Sequence, residues 1–215
     1  MSDESITIAD TLNIVEVLRT IIGESRYSGY PCTLVRLGGC NLSCKYCDTE
    51  YAQKSHAFEE HIFDTAHKIK DEWVLLTGGE PLLQKSAYSL MDILINRNKK
   101  IVLETNGSID ISDIPDDVYK IMDLKTPSSG MHKKMNFQNC DYLTENDEVK
   151  FLIADDDDFE YALKKIDEHN LLERCCISFS PVYGSIGESE LGQAILKTRL
   201  PIRLNLQIHK MIGMK

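Results

Sequence analysis

Short apolar runs alternate with stretches of helical periodicity along most of the chain, and this alternation limits the fold more than any other feature of the sequence. Two β-rich runs come first, at residues 13–20 and 32–37. Further strands are predicted at residues 73–77, 100–105, 119–124, 148–154, 176–180 and 202–208, and helices at residues 58–70, 83–97, 158–169 and 188–197. Strands that alternate with helices in this way are typical of βαβ units, so the pattern predicts an α/β fold with a parallel sheet.

The length of the chain limits how far such a sheet can close. A complete eight-stranded (β/α) barrel takes about 250 residues, whereas this chain has 215. About six parallel strands fit within that length, which predicts an open, incomplete (β/α) barrel. No internal repeat, linker or low-complexity segment divides the sequence, so residues 1–215 are predicted to form a single domain.

The unusual residues are concentrated in the loops that follow the predicted strands. These loops read GGC at residues 38–40, GGEP at 78–81, TNG at 105–107, KTPSSG at 125–130 and SPVYG at 180–184. Ligands of parallel α/β sheets bind at the carboxyl ends of the strands, where such loops meet. The loops are therefore predicted to build one site.

The first of these loops leads into three closely spaced cysteines, Cys40, Cys44 and Cys47, in a CxxxCxxC arrangement. Thiolates are soft ligands and are the usual ligands of iron-sulfur clusters. Three cysteines can bind three irons of a 4Fe-4S cubane and leave the fourth iron without a protein ligand. S-adenosylmethionine (SAM) can chelate that iron through its amino and carboxylate groups.

Structural zinc is the alternative interpretation of the cysteine loop, and with it a zinc-stabilised binding module rather than an enzyme. A structural zinc site needs four ligands. The fourth would have to come from Cys32, His56, Cys140, Cys175 or Cys176, and none of these lies at a usual finger spacing from the other three.

The cysteine loop and the segment TGGEP at residues 77–81 together resemble the radical SAM superfamily. A longer set of motifs is similar to one family within it, the 7-carboxy-7-deazaguanine synthases. These motifs are GE at residues 23–24, GYP at 29–31, VRLGGCNLSCKYCDT at 35–49, ETNG at 104–107 and HK at 209–210. The resemblance extends over nearly the whole chain.

The resemblance implies a radical ring contraction in queuosine and 7-deazapurine biosynthesis. 6-Carboxy-5,6,7,8-tetrahydropterin would become 7-carboxy-7-deazaguanine with loss of ammonia. A 4Fe-4S cluster and SAM would generate a 5′-deoxyadenosyl radical that takes a hydrogen atom from the pterin and later returns it. Mg²⁺ would be a third cofactor, held by Thr49, since a hydroxyl oxygen suits that ion.

The resemblance also implies which residues bind SAM and the substrate. The SAM-binding residues would be Gly79, Glu80, Thr105, Asn106, Thr126, Pro127, Ser128, Ser180, Pro181, Val182 and Tyr183. The substrate-binding residues would be Ile21, Ile22, Gly23, Glu24, Arg36, Thr77, His209 and Lys215. Ile22 stands where the family usually has glutamine, so only its main chain can serve. Lys215 would act through its main-chain carboxylate.

The strand periodicity gives an independent argument for Arg36. Its neighbours Val35 and Leu37 should face the opposite side of the strand, which points the guanidinium into the barrel. A buried cation needs a partner. That partner is either the carboxylate of the substrate, bound in a bidentate manner, or an internal salt bridge.

Composition restricts the partners and the compartment. The formal net charge of -10 disfavours nucleic acid. The amino terminus lacks the features of a secretory signal, and no apolar stretch approaches the roughly 20 residues that cross a membrane. An odd number of cysteines, 7, fits a reducing compartment, so a cytoplasmic protein is predicted.

Two further expectations follow from the resemblance alone. The family implies an electron donor such as flavodoxin, and a homodimer. The remaining alternative among enzymes is an activase that makes a glycyl radical in a partner protein, because such activases are also short and also carry CxxxCxxC.

Overall fold

The strands lie in one sheet in the computed structural model, which describes residues 10–54 and 57–214. Among these residues the sheet has nine strands in the order β3-β1-β2-β4-β5-β6-β7-β8-β9. The strands are β1 (Thr11–Ile21), β2 (Pro31–Leu37), β3 (Phe58–His61), β4 (Trp73–Gly78), β5 (Lys100–Thr105), β6 (Val118–Asp123), β7 (Glu148–Ile153), β8 (Cys176–Pro181) and β9 (Ile202–Leu204). The helices are α1 (Glu50–Lys54), α2 (Ile62–Lys68), α3 (Ser86–Ile95), α4 (Asp156–Glu168), α5 (Glu188–Thr198) and α6 (Ile208–Met211).

The parallel part of the sheet runs from β2 to β9. Neighbouring strands pair in parallel throughout the series β2, β4, β5, β6, β7, β8 and β9. This makes seven parallel strands, one more than the approximate number expected. The strand order is linear from β3 to β9, so the sheet does not close. The prediction of an α/β fold with an incomplete barrel is confirmed.

The edge beyond β2 is antiparallel, because β1 pairs antiparallel with both β2 and β3. Strand β3 occupies the first residues of the predicted helix at 58–70, so the start of that helix was wrong. Thr11–Ile14 pair with Phe58–His61, and α2 begins only at Ile62. The pairing with a distant strand therefore overrides the local helical pattern at this point.

The two faces of the sheet carry different apolar clusters, as the period of two residues along a strand requires. The larger cluster packs between the sheet and the helices and includes Val35, Leu37 and Val74. A smaller cluster faces the inside of the barrel and includes Leu34 and Leu75. It lies toward the end of the barrel where the strands begin, and the cavity described below lies near their carboxyl ends.

The last strand is shorter than the predicted run of residues 202–208. Strand β9 ends at Leu204, and the chain then crosses the open end of the barrel before α6. The backbone N–H of Ile208 donates to the carbonyl of Gly23 at 2.8 Å, which ties the segment to the loop after β1. Within the described ranges, no helix is both long and apolar enough to span a membrane.

Candidate active site

A cavity of about 230 Å³ lies at the carboxyl ends of the parallel strands. Loops that follow β1, β2, β4, β5, β6 and β8 form its wall together with the segment around α6. The predicted site residues that line it are Ile21, Gly23, Glu24, Arg36, Cys40, Cys44, Cys47, Thr49, Thr77, Gly79, Thr105, Asn106, Ser180, Pro181, Val182, Tyr183 and His209. Most of the predicted site is thus brought to one place.

Two of the three cysteine sulfurs in the loop after β2 accept hydrogen bonds from N–H donors. The Leu42 N–H and the Asn106 side chain contact Cys40 Sγ, at 3.5 and 3.8 Å. Gln53 Nε2 donates to Cys47 Sγ at 3.1 Å. Hydrogen bonds of this kind stabilise thiolates and tune iron-sulfur clusters. Burial raises the pKa of the Cys40 thiol, so binding of iron would displace its proton.

The other cysteines do not supply a fourth metal ligand near the triad. Cys32 and Cys176 lie at the amino ends of β2 and β8, opposite the cavity end of the sheet, and Cys175 precedes Cys176. Cys140 is buried in the large apolar cluster. His56 lies outside the described residues. Among the described residues, no three His, Cys, Asp or Glu side chains converge on a single metal ion. A 4Fe-4S cluster does not require such convergence, because each cysteine binds a different iron.

The GGEP loop packs directly on the GGC loop. The N–H of Gly79 donates to the carbonyl of Leu37 at 3.2 Å, and the N–H of Glu80 donates to the carbonyl of Gly39 at 2.8 Å. A Cβ atom on Gly79 would lie 2.2 Å from the Gly39 oxygen. Glycine is therefore required at position 79 for the two loops to approach each other.

Glu80 holds the next loop in place instead of lining the cavity. Its buried carboxylate accepts hydrogen bonds from Thr105 Oγ1 at 3.0 Å, Asn106 N at 2.7 Å and Leu82 N at 3.1 Å. Burial raises the pKa of Glu80, although these hydrogen bonds act in the opposite direction. Because its oxygens are already engaged, Glu80 positions Thr105 and Asn106, which do face the cavity.

Thr126, Pro127 and Ser128 were predicted to contact SAM, but the structure places them behind the cavity wall. Thr126 Oγ1 donates to the Leu152 carbonyl at 2.8 Å and lies 3.2 Å from Tyr46 OH. The N–H of Ser128 donates to Asp158 of α4 at 2.9 Å. These three residues pack toward α4, while Lys125 of the same loop and the neighbouring Tyr46 do line the cavity.

Ile22 was predicted to offer a main-chain contact to the substrate, but its backbone is already used. Its N–H donates to the Tyr30 carbonyl at 2.9 Å, and its carbonyl accepts from Gly29 N at 2.8 Å. Its side chain is fully buried in the smaller apolar cluster. Ile22 therefore shapes the loop that carries Gly23 and Glu24.

Arg36 faces the cavity, as the strand periodicity predicted, and also forms the internal salt bridge that was the alternative. Its Nε donates to Glu16 Oε1 at 2.8 Å. Tyr51 OH donates to the same oxygen at 3.1 Å, and the Tyr51 ring lies beneath the guanidinium at 5.8 Å. Glu16 and Tyr51 thus hold one edge of the guanidinium in place.

A cluster of charged residues on β5, β6 and β7 also faces the cavity, although no motif in the sequence marks it. Lys150 Nζ lies 3.0 Å from Glu24 and 3.6 Å from Asp123, and Lys125 lies 3.0 Å from Asp123. Thr77 Oγ1 donates to Glu104 at 2.7 Å. Burial and the nearby Glu24 carboxylate raise the pKa of Glu104.

Comparison with known proteins decides the family. The radical SAM superfamily model matches residues 34–184. The chain is 37% identical to 7-carboxy-7-deazaguanine synthase of Chlorobaculum tepidum, over 94% of each chain. It is 39% identical to the protein of the same name from Methanospirillum hungatei, over 94% of this chain and 86% of that protein. The chain belongs to the 7-carboxy-7-deazaguanine synthase family.

Solved structures agree on the fold of this family member. The crystal structure of QueE from Escherichia coli aligns with a TM-score of 0.75 at 18% identity, over 92% of this chain and 94% of that one. Streptococcus suis SuiB aligns with a TM-score of 0.53 at 12% identity, over 78% of this chain and 46% of that one. At these identities the similarity concerns the fold alone.

The HK motif of this family member closes one side of the cavity. His209 packs so tightly against Gly23 that a Cβ atom there would lie 1.8 Å from His209 Nδ1. Lys210 Nζ lies 2.6 Å from Asp48, which is adjacent to both Cys47 and Thr49. The segment around α6 is thereby linked to the cysteine loop. Lys215, for which a carboxylate contact was predicted, lies outside the described residues.

Proposed function

We propose that this chain performs the ring contraction named by its family, from 6-carboxy-5,6,7,8-tetrahydropterin to 7-carboxy-7-deazaguanine and ammonia, and that the cavity is where it happens. The single observation that carries the proposal is the convergence of Cys40, Cys44 and Cys47 with Glu24 and Arg36 on one cavity. The cysteines would bind the iron-sulfur cluster, and Arg36 and Glu24 would bind the two polar ends of the pterin.

The charges of the cavity suggest how the substrate lies in it. The pterin carries a carboxylate at one end and a guanidine-like edge, with adjacent N–H donors, at the other. Arg36 offers a cation to the carboxylate. Glu24 offers two acceptor oxygens to the N–H donors. The other proposed substrate contacts come from Ile21, Gly23, Thr77 and His209, which also line the cavity.

The two main cofactors would occupy the part of the cavity near the cysteine loop. Cys40, Cys44 and Cys47 would hold the 4Fe-4S cluster, and Gly79, Thr105, Asn106 and residues 180–183 would surround SAM. Together these cofactors would supply the radical chemistry of the reaction. The chain contributes the binding and orientation of both molecules, and Glu80 contributes by holding the TNG loop.

Mg²⁺ is the third proposed cofactor, bound between the substrate carboxylate and Thr49. The Thr49 side chain lines the cavity, and its hydroxyl lies 3.7 Å from Cys47 Sγ. Asp48 is held by Lys210 at 2.6 Å and by Gln207 at 3.3 Å, so it is engaged elsewhere. An alcohol oxygen and a substrate carboxylate are the hard ligands that Mg²⁺ prefers, with water filling the other positions.

The wider setting rests on the family resemblance. We propose an electron donor such as flavodoxin, a homodimer, a cytoplasmic location, and a single domain over residues 1–215. The continuous sheet from β3 to β9 supports the last of these.

The decisive experiment is an anaerobic incubation of reconstituted protein with the carboxypterin, SAM, Mg²⁺ and a chemical reductant. We expect 7-carboxy-7-deazaguanine in large molar excess over 5′-deoxyadenosine, because the hydrogen atom returns and SAM is reused. Glu24→Gln should lower the rate while the iron content stays at the wild-type level. An activase would instead release 5′-deoxyadenosine without any deazaguanine, and a colourless protein that binds zinc would indicate the binding module.

A further inference from the structure

Lys150 is a buried cation that none of the proposed substrate or cofactor contacts uses. It lies in β7 with its side chain 8% exposed. Val149 and Phe151 on either side belong to the large apolar cluster outside the barrel, so Lys150 faces the cavity. Its Nζ contacts Glu24 Oε1 at 3.0 Å and Asp123 Oδ2 at 3.6 Å.

Glu24 is held by both of its oxygens. Lys150 binds Oε1, and Asn205 Nδ2 approaches Oε2 at 3.4 Å. Asn205 is itself fixed, because its Oδ1 accepts from Ser25 N at 2.9 Å and its Nδ2 donates to Ser180 Oγ at 2.8 Å. The plane of the Glu24 carboxylate is therefore set by Lys150 of β7 and by Asn205, which follows β9.

The charge balance of the cavity also depends on Lys150. Burial alone would lower the pKa of Lys150, but the carboxylates of Glu24, Asp123 and Glu104 raise it well above its ordinary value. Lys150 is thus a cation shared by three acidic groups that come from the loop after β1, from β6 and from β5. Removing the cation from such a cluster would leave buried carboxylates without a counter-charge, so their arrangement depends on Lys150.

We propose that Lys150 is a positioning residue for substrate recognition, which holds the Glu24 carboxylate in the plane that pairs with the guanidine-like edge of the pterin. The inference rests on the proposed role of Glu24. Two parallel N–H···O bonds need both acceptor oxygens in the plane of the ring. A carboxylate fixed in that plane before binding loses little freedom when the substrate arrives.

Lys120 provides a matched control, because it is also a buried lysine paired with a carboxylate. It lies in β6, its side chain is 2% exposed, and its Nζ is 3.2 Å from Asp147. Its neighbours Tyr119 and Ile121 face the inside of the barrel. Lys120 therefore points to the outer face, away from the cavity.

The test measures equilibrium binding of 6-carboxypterin, a fluorescent oxidised analogue of the substrate, to anaerobic protein loaded with cluster, SAM and Mg²⁺. Lys150→Met and Lys150→Gln should each raise the Kd at least tenfold, and Lys150→Arg should restore most of the affinity. Lys120→Met should lower the unfolding temperature and leave the Kd within twofold of the wild-type value. Two neutral variants of Lys150 are included in case one does not fold.

A second analogue separates recognition from a general loss of structure. 6-Carboxylumazine has an oxygen in place of the 2-amino group, so it presents an acceptor to Glu24 where the pterin presents a donor. The wild-type protein should prefer the pterin, and the Lys150 variants should lose most of that preference. A purely structural role would weaken both ligands equally and would overturn the inference.

A double-mutant cycle distinguishes this inference from the proposed function. If Lys150 acts through Glu24, the Glu24→Gln and Lys150→Gln changes together should cost little more than either alone. Additive effects of the two changes on the Kd would overturn the Lys150 inference alone. The same conclusion would follow if Lys150→Gln kept a Kd within twofold of the wild-type value while Glu24→Gln bound the ligand more weakly. A wild-type Kd for Glu24→Gln would overturn the substrate contact in the proposed function, and the role of Lys150 with it.

Discussion

Glu16 lies opposite Arg36 across the β1–β2 pair, and its carboxylate holds the guanidinium by the Nε atom at 2.8 Å. The register of this strand pair shifts between Ile14 and Glu16, a β-bulge that rotates the side chains beyond it. The bulge brings Glu16 to the cavity side of the pair. The orientation of Arg36 in the cavity thus depends on a residue of an antiparallel strand that lies outside the parallel core.

Glu16→Gln should raise the KM for the carboxypterin about tenfold and change kcat by less than twofold, because Arg36 would lose its fixed orientation while the chemistry is untouched. Steady-state kinetics under anaerobic conditions measure both constants. The control is Glu72→Gln, which breaks an exposed ion pair with Lys100 and should be silent. An unchanged KM in Glu16→Gln would show that Arg36 does not need this partner.

Single alanine substitutions of Cys40, Cys44 and Cys47 should each abolish the visible absorbance of the 4Fe-4S cluster and the cleavage of SAM. Each removes the thiolate of one iron. Cys175→Ala and Cys176→Ala are the matched controls, since Cys176 begins β8 at the far end of the sheet and Cys175 precedes it. Iron and sulfide analysis measures the outcome, and full cluster content in any triad variant would contradict the assignment.

The remaining buried thiols should react slowly with iodoacetamide. Burial raises the pKa of Cys32 to about 12 and that of Cys140 to about 11. A raised pKa leaves less thiolate at every pH below it, so a thiol of pKa 12 is ionised to roughly 1 part in 10,000 at pH 8. Mass spectrometry of the folded, cluster-loaded protein should show little labelling of Cys32 at pH 8, and about tenfold faster labelling for each unit of pH above it. Rapid modification at pH 8 would mean that this strand opens readily.

Thr49→Ala should abolish the stimulation of turnover by Mg²⁺ while cluster content and SAM binding stay at wild-type levels. Thr49→Ser keeps the hydroxyl oxygen and should retain the response. A magnesium titration of the initial rate compares the three proteins. If Thr49→Ala responds to magnesium as the wild-type protein does, the ion binds elsewhere.

The strands of the parallel sheet were predictable, because a run of apolar residues in a buried strand is a local property of the sequence. Strand β3 was not, since Phe58–His61 are a strand only by virtue of pairing with Thr11–Ile14. Its local pattern reads as the start of a helix, and no signal within those four residues contradicts it.

The cavity was predictable wherever a motif marked it and was missed elsewhere. One feature of the sequence indicates the role of Lys150: it stands between the apolar residues Val149 and Phe151 in the run EVKFLIA, and alternate side chains of a strand face opposite sides. The alternation indicates that Lys150 faces away from these two neighbours. It does not indicate which carboxylates lie close to Lys150 in the folded protein. The sequence does not indicate that Thr126 and Ser128 lie behind the cavity wall, because the direction of their loop depends on hydrogen bonds to Leu152 and to Asp158 of α4.

Gly23→Ala should weaken substrate binding while the protein still folds. The added Cβ would lie 1.8 Å from His209 Nδ1, whereas the contacted atoms all belong to the His209 side chain. Because His209 Cβ also lies 2.9 Å from the new atom, a change of rotamer is not enough and the backbone at His209 must shift. That shift is expected to take His209 out of the cavity wall while the strands and the cysteine loop keep their positions. We expect a KM for the carboxypterin at least tenfold higher, with wild-type iron content and an unfolding temperature lowered by only a few degrees.

The matched control for this substitution is Gly187→Ala. Gly187 precedes α5 with a φ of -74°, and no atom lies within 4 Å of the position that a Cβ would take. Alanine should therefore be tolerated there without any change in KM. His209→Ala tests the cause, because removal of the ring should raise KM by itself and should make a second change at Gly23 nearly silent. If Gly23→Ala binds the carboxypterin normally, then the tight contact between Gly23 and His209 has no part in placing the substrate.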